Sequence, residues 1–149
     1  MVSIFKKVRN LTWKQRLLYS EAGLALLLAK LLLQLAPTRW VFKIIGFQVV
    51  SQFTPSFASA SQQLSRIGLA LHQISLHLPF STTCLVQAIA GGMMLKRRRL
   101  PANLCIGITK LPNGQLAAHA WLTSDHCVVT GGKEQQDYSM IATFLKDQT

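Results

Sequence analysis

Cys84 and His119 are the two residues whose types and surroundings best suit catalysis. Cys84 follows a Ser-Thr-Thr sequence of helix-capping residues and precedes an apolar run with helical spacing. It therefore falls in the first turn of a predicted helix that extends to about Arg98. There the positive end of the helix favours a thiolate, and unpaired backbone N–H groups are available to a developing oxyanion. His119 lies within a predicted strand, in Ala-Ala-His-Ala-Trp. A cysteine on a helix N-terminus facing a histidine on a sheet is typical of acyl-transfer enzymes.

Each of the two residues also has a simpler interpretation. A single cysteine in an apolar helix is usually a core residue, and a single histidine on a strand is usually structural. The joint placement of Cys84 after its cap and of His119 before Ala-Trp favours chemistry more than either residue alone. From these residues by themselves, the catalytic and the structural interpretations both stay open.

The charge balance of the chain restricts the chemistry further. The 149 residues carry 16 Lys and Arg against 5 Asp and Glu, a net charge of +11, which attracts polyanions, anionic membranes or acidic peptides. No carboxylate lies between Glu21 and Asp125, so mechanisms that need two paired acids have few places to be built. There is no nucleic-acid reader motif and no basic stripe interleaved with aromatic residues, which argues against nucleic acid as a partner.

Cysteine and histidine spacing predicts neither disulfides nor a metal site. The three cysteines, Cys84, Cys105 and Cys127, form no CxxC motif and no zinc-ligand cluster, which indicates a reducing, cytoplasmic compartment. Cys105 and Cys127 fall on predicted strands and are expected in the core. The remaining histidines, which are expected at surface or hydrogen-bonded positions rather than as ligands, are His72, His77 and His126. We expect no cofactor.

The chain order predicts an α+β fold in which helices precede a small antiparallel meander. Helices are predicted over 13–36, 61–78 and from Cys84 to about Arg98. Strands are predicted over 103–110, 115–123 and 127–130, with Pro112-Asn113-Gly114 as a hairpin turn and Gly131-Gly132 at the end. The stretch 39–50 is ambiguous between helix and strand, and 51–60 has the composition of a linker. We divide the chain into an N-terminal helical region, 1–58, and a core, 59–149.

The first helix raises the question of membrane contact. Basic residues precede it, and it is mostly Leu and Ala from Ala22 to Ala36, but it contains Lys30 and stops at Pro37. That run is shorter than a bilayer span normally needs, and no signal cleavage site follows it. A buried or interfacial helix is the favoured interpretation, and peripheral membrane contact stays open.

The stretch 79–132 closely resembles the transglutaminase-like proteins of lasso peptide biosynthesis. The shared features are a Cys-Leu-x-x-Ala helix, an Arg-rich helix end, a Leu-x-Ile-Gly strand and an Ala-His-Ala-Trp strand, in this order. A Leu-rich N-terminal helix ending in Pro37-Thr38-Arg39 is similar as well. The resemblance implies a papain/transglutaminase-like core, in which a helix carrying the cysteine packs on a small antiparallel sheet, with an N-terminal helical extension.

This resemblance also implies a function. The chain would be a cysteine peptidase that cuts the leader from a ribosomally synthesised precursor peptide, with Cys84 as nucleophile and His119 as base. It would pass the core peptide to a lasso cyclase similar to asparagine synthetase. Since the chain has no room for a fused recognition domain, a separate small leader-recognition protein is the expected partner. The alternatives are a catalytically degenerate module that binds precursor or partner, and a peripheral membrane-associated helical protein.

The third member of the implied Cys-His-Asp triad is not evident. A turn centred on Asp125-His126 would set Trp121 opposite Thr130 and His119 opposite Gly132, and residues 130–132 contain no carboxylate. Asp125 lies six residues along the strand, roughly 20 Å from His119, too far to orient the imidazole. By elimination Glu134 is the nearest candidate acid and Asp137 the next. Backbone, water or the Gln135 side chain remain alternatives.

The basic run from Lys96 to Arg99 has two interpretations. A cluster of cations at a helix C-terminus is usually a solvated helix end that complements the helix dipole. It could also dock an acidic leader peptide or a partner protein.

Overall fold

Four helices and five strands occupy the part of the chain that the computed structural model describes, residues 12–50, 61–125, 127–132 and 137–146. The helices are α1 (Trp13–Leu35), α2 (Thr38–Ile45), α3 (Gln62–Ser75) and α4 (Cys84–Arg97). The strands are β1 (Phe47–Val50), β2 (Asn103–Lys110), β3 (Leu116–Ser124), β4 (Cys127–Thr130) and β5 (Ser139–Lys146).

Local capping chemistry sets where the helices begin. Thr12 and Gln15 form a capping box at the start of α1, and the Ser61 side chain accepts a hydrogen bond from the Leu64 N–H at the start of α3. The helix that carries Cys84 begins where the sequence predicts, because the Thr83 hydroxyl accepts a hydrogen bond from the Val86 N–H. α3 ends at Ser75, three residues before the predicted end at 78.

All strand pairs in the sheet are antiparallel, in the order β1-β5-β2-β3-β4. The predicted hairpin is present: β2 and β3 pair from Asn103 with Thr123 to Lys110 with Leu116, and Gly114 has a φ of 84° in the turn. All three predicted strands are present as β2, β3 and β4, and β4 ends at Thr130, directly before Gly131, whereas β5 was not predicted. β5 lies between β1 and β2 and hydrogen-bonds to both. These bonds hold the segment as a strand, although the sequence has no turn signal that marks it.

The ambiguous stretch 39–50 contains both kinds of element. α2 ends at Gly46, whose φ of 90° breaks the helix, and β1 follows at once. Because β1 pairs with β5, the N-terminal region supplies a strand to the same sheet as the core. The linker expected over 51–60, and with it the boundary placed at residue 58, lies outside the described residues.

Helices α1, α3 and α4 pack together, and α3 and α4 pack on one face of the sheet. The large side chains that are fully buried between these layers include Leu26, Leu71, Ile89, Leu95, Leu104 and Leu122. α4 is the central element, since it contacts α1, α3 and three of the strands. Cys84 is therefore held by a helix that is packed on several sides.

The basic end of α4 ties the helices together. Arg98 donates two hydrogen bonds to the Glu21 carboxylate of α1, at 2.7 and 2.6 Å, and the Lys96 ammonium reaches the Ile45 carbonyl at 3.3 Å. The hydrogen bond from Arg98 lowers the pKa of Glu21, and the same bond raises the pKa of Arg98. Lys96 and Arg98 therefore hold α2 and α1 against α4. Arg97 is exposed and lies 3.5 Å from the Glu21 carboxylate, and Arg99 is exposed.

Candidate active site

Cys84 is the first residue of α4, and its side chain is half-buried. The first N–H groups of a helix have no carbonyl partner within the helix. Thr83 accepts from the Val86 N–H, and the N–H groups of Cys84 and Leu85 lie at the end where a negative charge would form. The sulfur therefore lies beside an anion-stabilising helix terminus, as the sequence predicts for Cys84.

His119 is 8% exposed, and Gly131, Trp121 and Tyr138 contact its ring from on or next to the sheet. Its Nε2 lies 2.9 Å from the Gly131 carbonyl oxygen, its ring stacks on Trp121 at a centroid distance of 6.0 Å, and Tyr138 lies 5.1 Å away on another side. A carbonyl oxygen only accepts hydrogen bonds, so Nε2 is the nitrogen that donates. In the neutral ring Nδ1 then carries the lone pair and is the nitrogen that can accept a proton.

A β-bulge brings Gly131 to the imidazole. β4 pairs Ser124 with Cys127 and Thr123 with Val128, but Leu122 then pairs with Thr130. The predicted register, with Trp121 opposite Thr130 and His119 opposite Gly132, is therefore wrong by one residue, because the bulge inserts an extra residue into β4.

The position of Gly131 admits only glycine. Its φ is 73°, in the left-handed region. A Cβ there would lie 2.8 Å from the Ala120 oxygen, 2.9 Å from the Trp121 Cβ and 3.0 Å from His119 Nε2. The missing side chain lets the Gly131 backbone approach the histidine closely enough to bond it.

Cys84 and His119 line the same cleft, which has a volume of about 840 Å³. α3 and α4 supply one side of it, with Ser65, His72 and Gln87 among the polar residues, and β4 with the segment after it supplies the other. Gly68 lets α3 approach β4, because a Cβ at this position would overlap the Val129 carbonyl oxygen. The cleft therefore lies between the helical layer and the short edge strand.

Comparison with known families identifies this arrangement. Residues 30–143 match the Transglutaminase-like superfamily. The chain belongs to that superfamily. No curated protein and no solved structure matches it. Transglutaminase-like domains are typically cysteine peptidases or transferases, and the predicted α+β transglutaminase-like fold with an N-terminal helix is confirmed.

In this transglutaminase-like domain the thiol and the imidazole are not in hydrogen-bond contact. Ala120 and Leu122 of β3 belong to the core beneath the helices, so the alternation of a strand places His119 and Trp121 on its other face. The cleft reaches the histidine past the end of β4. In the described part of the chain no hydrogen bond joins Cys84 to His119. Catalytic hydrogen bonds are often long before substrate binds and tighten in the complex.

Several groups were considered as the acceptor that orients His119. Among the described residues, the one in place is a backbone group, the Gly131 carbonyl. Glu134, the first candidate acid, and Gln135 lie outside those residues, so the prediction for them remains a prediction. Asp137 is exposed and has no hydrogen bond to His119, and Asp125 lies at the exposed tip of the β3–β4 turn. The Gly131 carbonyl was not singled out from the sequence, although a Gly-Gly pair after a short strand was a signal for positive φ.

The other cysteines and histidines fall largely as predicted. Cys105 is fully buried, and burial raises the pKa of its thiol to about 11. Cys127 is also buried. His77 is exposed and bonds the Gln73 carbonyl, and His126 lies outside the described residues. His72 is exposed but lines the cleft, which its sequence position did not reveal. Within the described ranges, no three His, Cys, Asp or Glu residues group as metal ligands.

Proposed function

We propose that this chain is a cysteine peptidase that removes the leader from a ribosomally synthesised precursor peptide in lasso peptide biosynthesis. The observation that carries the proposal is the shared cleft. Cys84 enters it from the start of α4, and His119 enters it with Nε2 held by Gly131. A papain-type thioester mechanism needs these two groups on one accessible surface.

The proposed reaction proceeds in two acyl transfers. The Cys84 sulfur attacks the carbonyl carbon of the leader–core peptide bond while His119 Nδ1 takes the thiol proton, and the oxyanion lies against the N–H groups of the first turn of α4. The tetrahedral intermediate collapses, the C–N bond breaks, and the imidazolium gives its proton to the departing amine of the core peptide. Water, deprotonated by the same nitrogen, then hydrolyses the leader thioester.

The Gly131 carbonyl has a defined part in this scheme. It accepts a hydrogen bond from Nε2, which keeps Nδ1 as the base and stabilises the imidazolium after proton transfer. A neutral carbonyl stabilises a cation less than a carboxylate does, so a carboxylate from Glu134 would add to this effect.

The proposal also names the partners of this chain in lasso peptide biosynthesis. A small recognition protein would present the leader, and an asparagine-synthetase-like cyclase would receive the core peptide, in the cytoplasm. The excess of 16 basic over 5 acidic residues favours an acidic leader or an acidic partner surface.

Interception of the thioester tests this proposal. With the precursor and its recognition protein, the chain is expected to release a leader with one new C-terminus. Added hydroxylamine is a stronger nucleophile than water, so a leader hydroxamate should form at the same residue, measured by mass spectrometry. Leader release that never yields hydroxamate, even when hydroxylamine is in large excess, would contradict a thioester.

A second function, a non-catalytic binding module, is favoured by one observation. In the described structure no hydrogen bond joins the Cys84 thiol to the imidazole, whose Nε2 lies 2.9 Å from the Gly131 carbonyl oxygen. Such a module would bind the precursor in the same cleft without cleaving it.

Alkylation separates the two functions. In a peptidase, iodoacetamide at mildly acidic pH is expected to label Cys84 at least about tenfold faster than Cys105 or Cys127, since only a thiolate reacts and it must be accessible. Cys105 is a suitable internal control, because it is fully buried and the pKa of its thiol is about 11. The labelled peptides are quantified by mass spectrometry. Equal, slow labelling of all three cysteines would favour the binding module.

A further inference from the structure

The outward face of α1 is a strip of exposed apolar side chains. Its exposed residues are Trp13 (73%), Leu17 (52%), Leu24 (59%), Leu27, Leu28 and Leu31 (41% each) and Leu35 (83%). They recur at helical spacing, so they lie along one side of a helix that buries its other side on α3 and α4. A strip of this length is larger than the isolated apolar residues that are normal on a protein surface.

The two charged residues in the middle of α1 do not interrupt this strip. Glu21 is bound by Arg98, and the Lys30 ammonium donates to the Ser81 carbonyl at 3.3 Å. Both side chains therefore make their contacts with the rest of the protein. Between Arg16 and Leu35 no other charged residue occurs, and the exposed polar residues there are Ser20 and Gln34.

Cations flank the strip at both ends. Lys14 and Arg16 are exposed at the beginning of α1, and Arg39 and Lys43 are exposed on α2, directly after Pro37. The only carboxylate in residues 1–124 is Glu21, and Arg98 already neutralises it. Along the described residues of α1 and α2, the exposed charged side chains are therefore all cations.

A hollow beside α2 combines cationic and apolar side chains, which suits an anion attached to an apolar group. It has a volume of about 470 Å³ and is lined by Arg39 and Lys43 together with Phe42, Phe47 and Phe144. Two cations in one hollow with aromatic residues suit a phosphate group that is attached to an apolar chain.

We propose that α1 and α2 dock this protein on the surface of an anionic membrane, with the apolar strip in the interfacial layer and phospholipid headgroups on the flanking cations. An apolar face with cationic edges and Trp at its margin is the pattern of a helix that lies in the membrane plane. Trp13 and Trp40, both more than half exposed, are suited to that depth. This proposal is independent of the peptidase reaction.

Two other ways of covering the strip fit less well. α1 is long and apolar enough to cross a bilayer, but spanning would pull Glu21 and Lys30 away from Arg98 and Ser81 and expose them to lipid. A second copy of the chain would bring the exposed cations of α1 and α2 against the same cations. An anionic membrane supplies both the apolar layer and the missing negative charge.

Vesicle flotation tests the proposal. The intact protein is expected to float with vesicles that contain phosphatidylglycerol and much less with pure phosphatidylcholine, and high salt should weaken the binding. Leu24→Gln and Leu31→Gln should each lower the partition coefficient by about tenfold, because each removes a leucine that the membrane would bury. Leu116→Gln is the matched control, since Leu116 is 72% exposed on β3 and should leave binding unchanged.

The cationic residues and the tryptophans give independent readouts. Arg39→Gln and Lys43→Gln should each weaken binding to anionic vesicles by about fivefold, whereas Lys110→Gln should not. Tryptophan emission should shift to shorter wavelength on binding, and the shift should persist in Trp121→Phe, because Trp121 is already buried. Circular dichroism confirms that each variant is folded.

Two results would overturn the membrane proposal. One is a flotation assay in which the protein does not float with anionic vesicles, or floats equally well with both leucine substitutions. The other is a concentration-dependent dimer in solution that Leu24→Gln and Leu31→Gln dissociate, which would assign the strip to a second copy.

Discussion

Replacing Cys84 by alanine is expected to lower the rate of leader release by roughly a thousandfold or more, because it removes the atom that forms the acyl bond. Cys84 is half-buried at the edge of the core, so losing one sulfur atom should leave the fold and precursor binding intact. Leader release is measured by mass spectrometry in the presence of the recognition protein, and precursor binding by fluorescence anisotropy.

Two further variants make that result specific. His119→Ala should cause a comparable loss of cleavage, since nothing then takes the thiol proton. Cys127→Ala removes a buried cysteine that does not line the cleft and should retain cleavage. If the Cys84→Ala protein releases leader at the normal rate, the assignment of Cys84 as the nucleophile is wrong.

Gly131→Ala is expected to damage both stability and cleavage. The new Cβ would collide with the Ala120 oxygen, the Trp121 Cβ and His119 Nε2, and the φ of 73° disfavours any residue with a side chain. The free energy of unfolding should fall by about 2–4 kcal/mol. Cleavage should fall by at least about a hundredfold, because the backbone must shift and the Nε2–carbonyl bond that orients the imidazole is lost. Urea denaturation and the cleavage assay measure the two effects.

Gly114→Ala is the matched control for this substitution. Gly114 has a φ of 84°, similar to that of Gly131, but nothing lies within 4 Å of its would-be Cβ. It should lose about 1 kcal/mol of stability from the unfavourable φ alone and keep its activity. If the two variants behaved alike, the contact of Gly131 with the histidine would have no special role.

Much of the local structure follows from short-range chemistry that is readable along the chain. A Ser or Thr cap sets the start of α1, α3 and α4, since each cap side chain bonds an N–H only three residues away. Pro37 and Gly46 end helices, and Gly114 makes the β2–β3 turn, through backbone preferences that belong to those residue types. The α+β class follows from the same elements.

The elements that the sequence left unpredicted or ambiguous depend on distant partners. β5 exists as a strand because β1 and β2 flank it, and those strands lie at least 28 residues earlier in the chain, a distance that no local pattern reports. The stretch 39–50 was ambiguous because it holds a helix and a strand in sequence, and its strand is stabilised by β5.

By itself, the sequence determined which residues have the chemistry for acyl transfer and where Cys84 and His119 lie on their elements, because caps and hairpin turns act over a few residues. Only the tertiary structure decided that both line one cleft, that a bulge moves Gly131 rather than Gly132 beside the imidazole, and that Glu21 and Lys30 contact the protein and leave an uncharged apolar strip on α1. The physical reason is that register, packing and ion pairing are set by contacts between segments that are far apart in the chain.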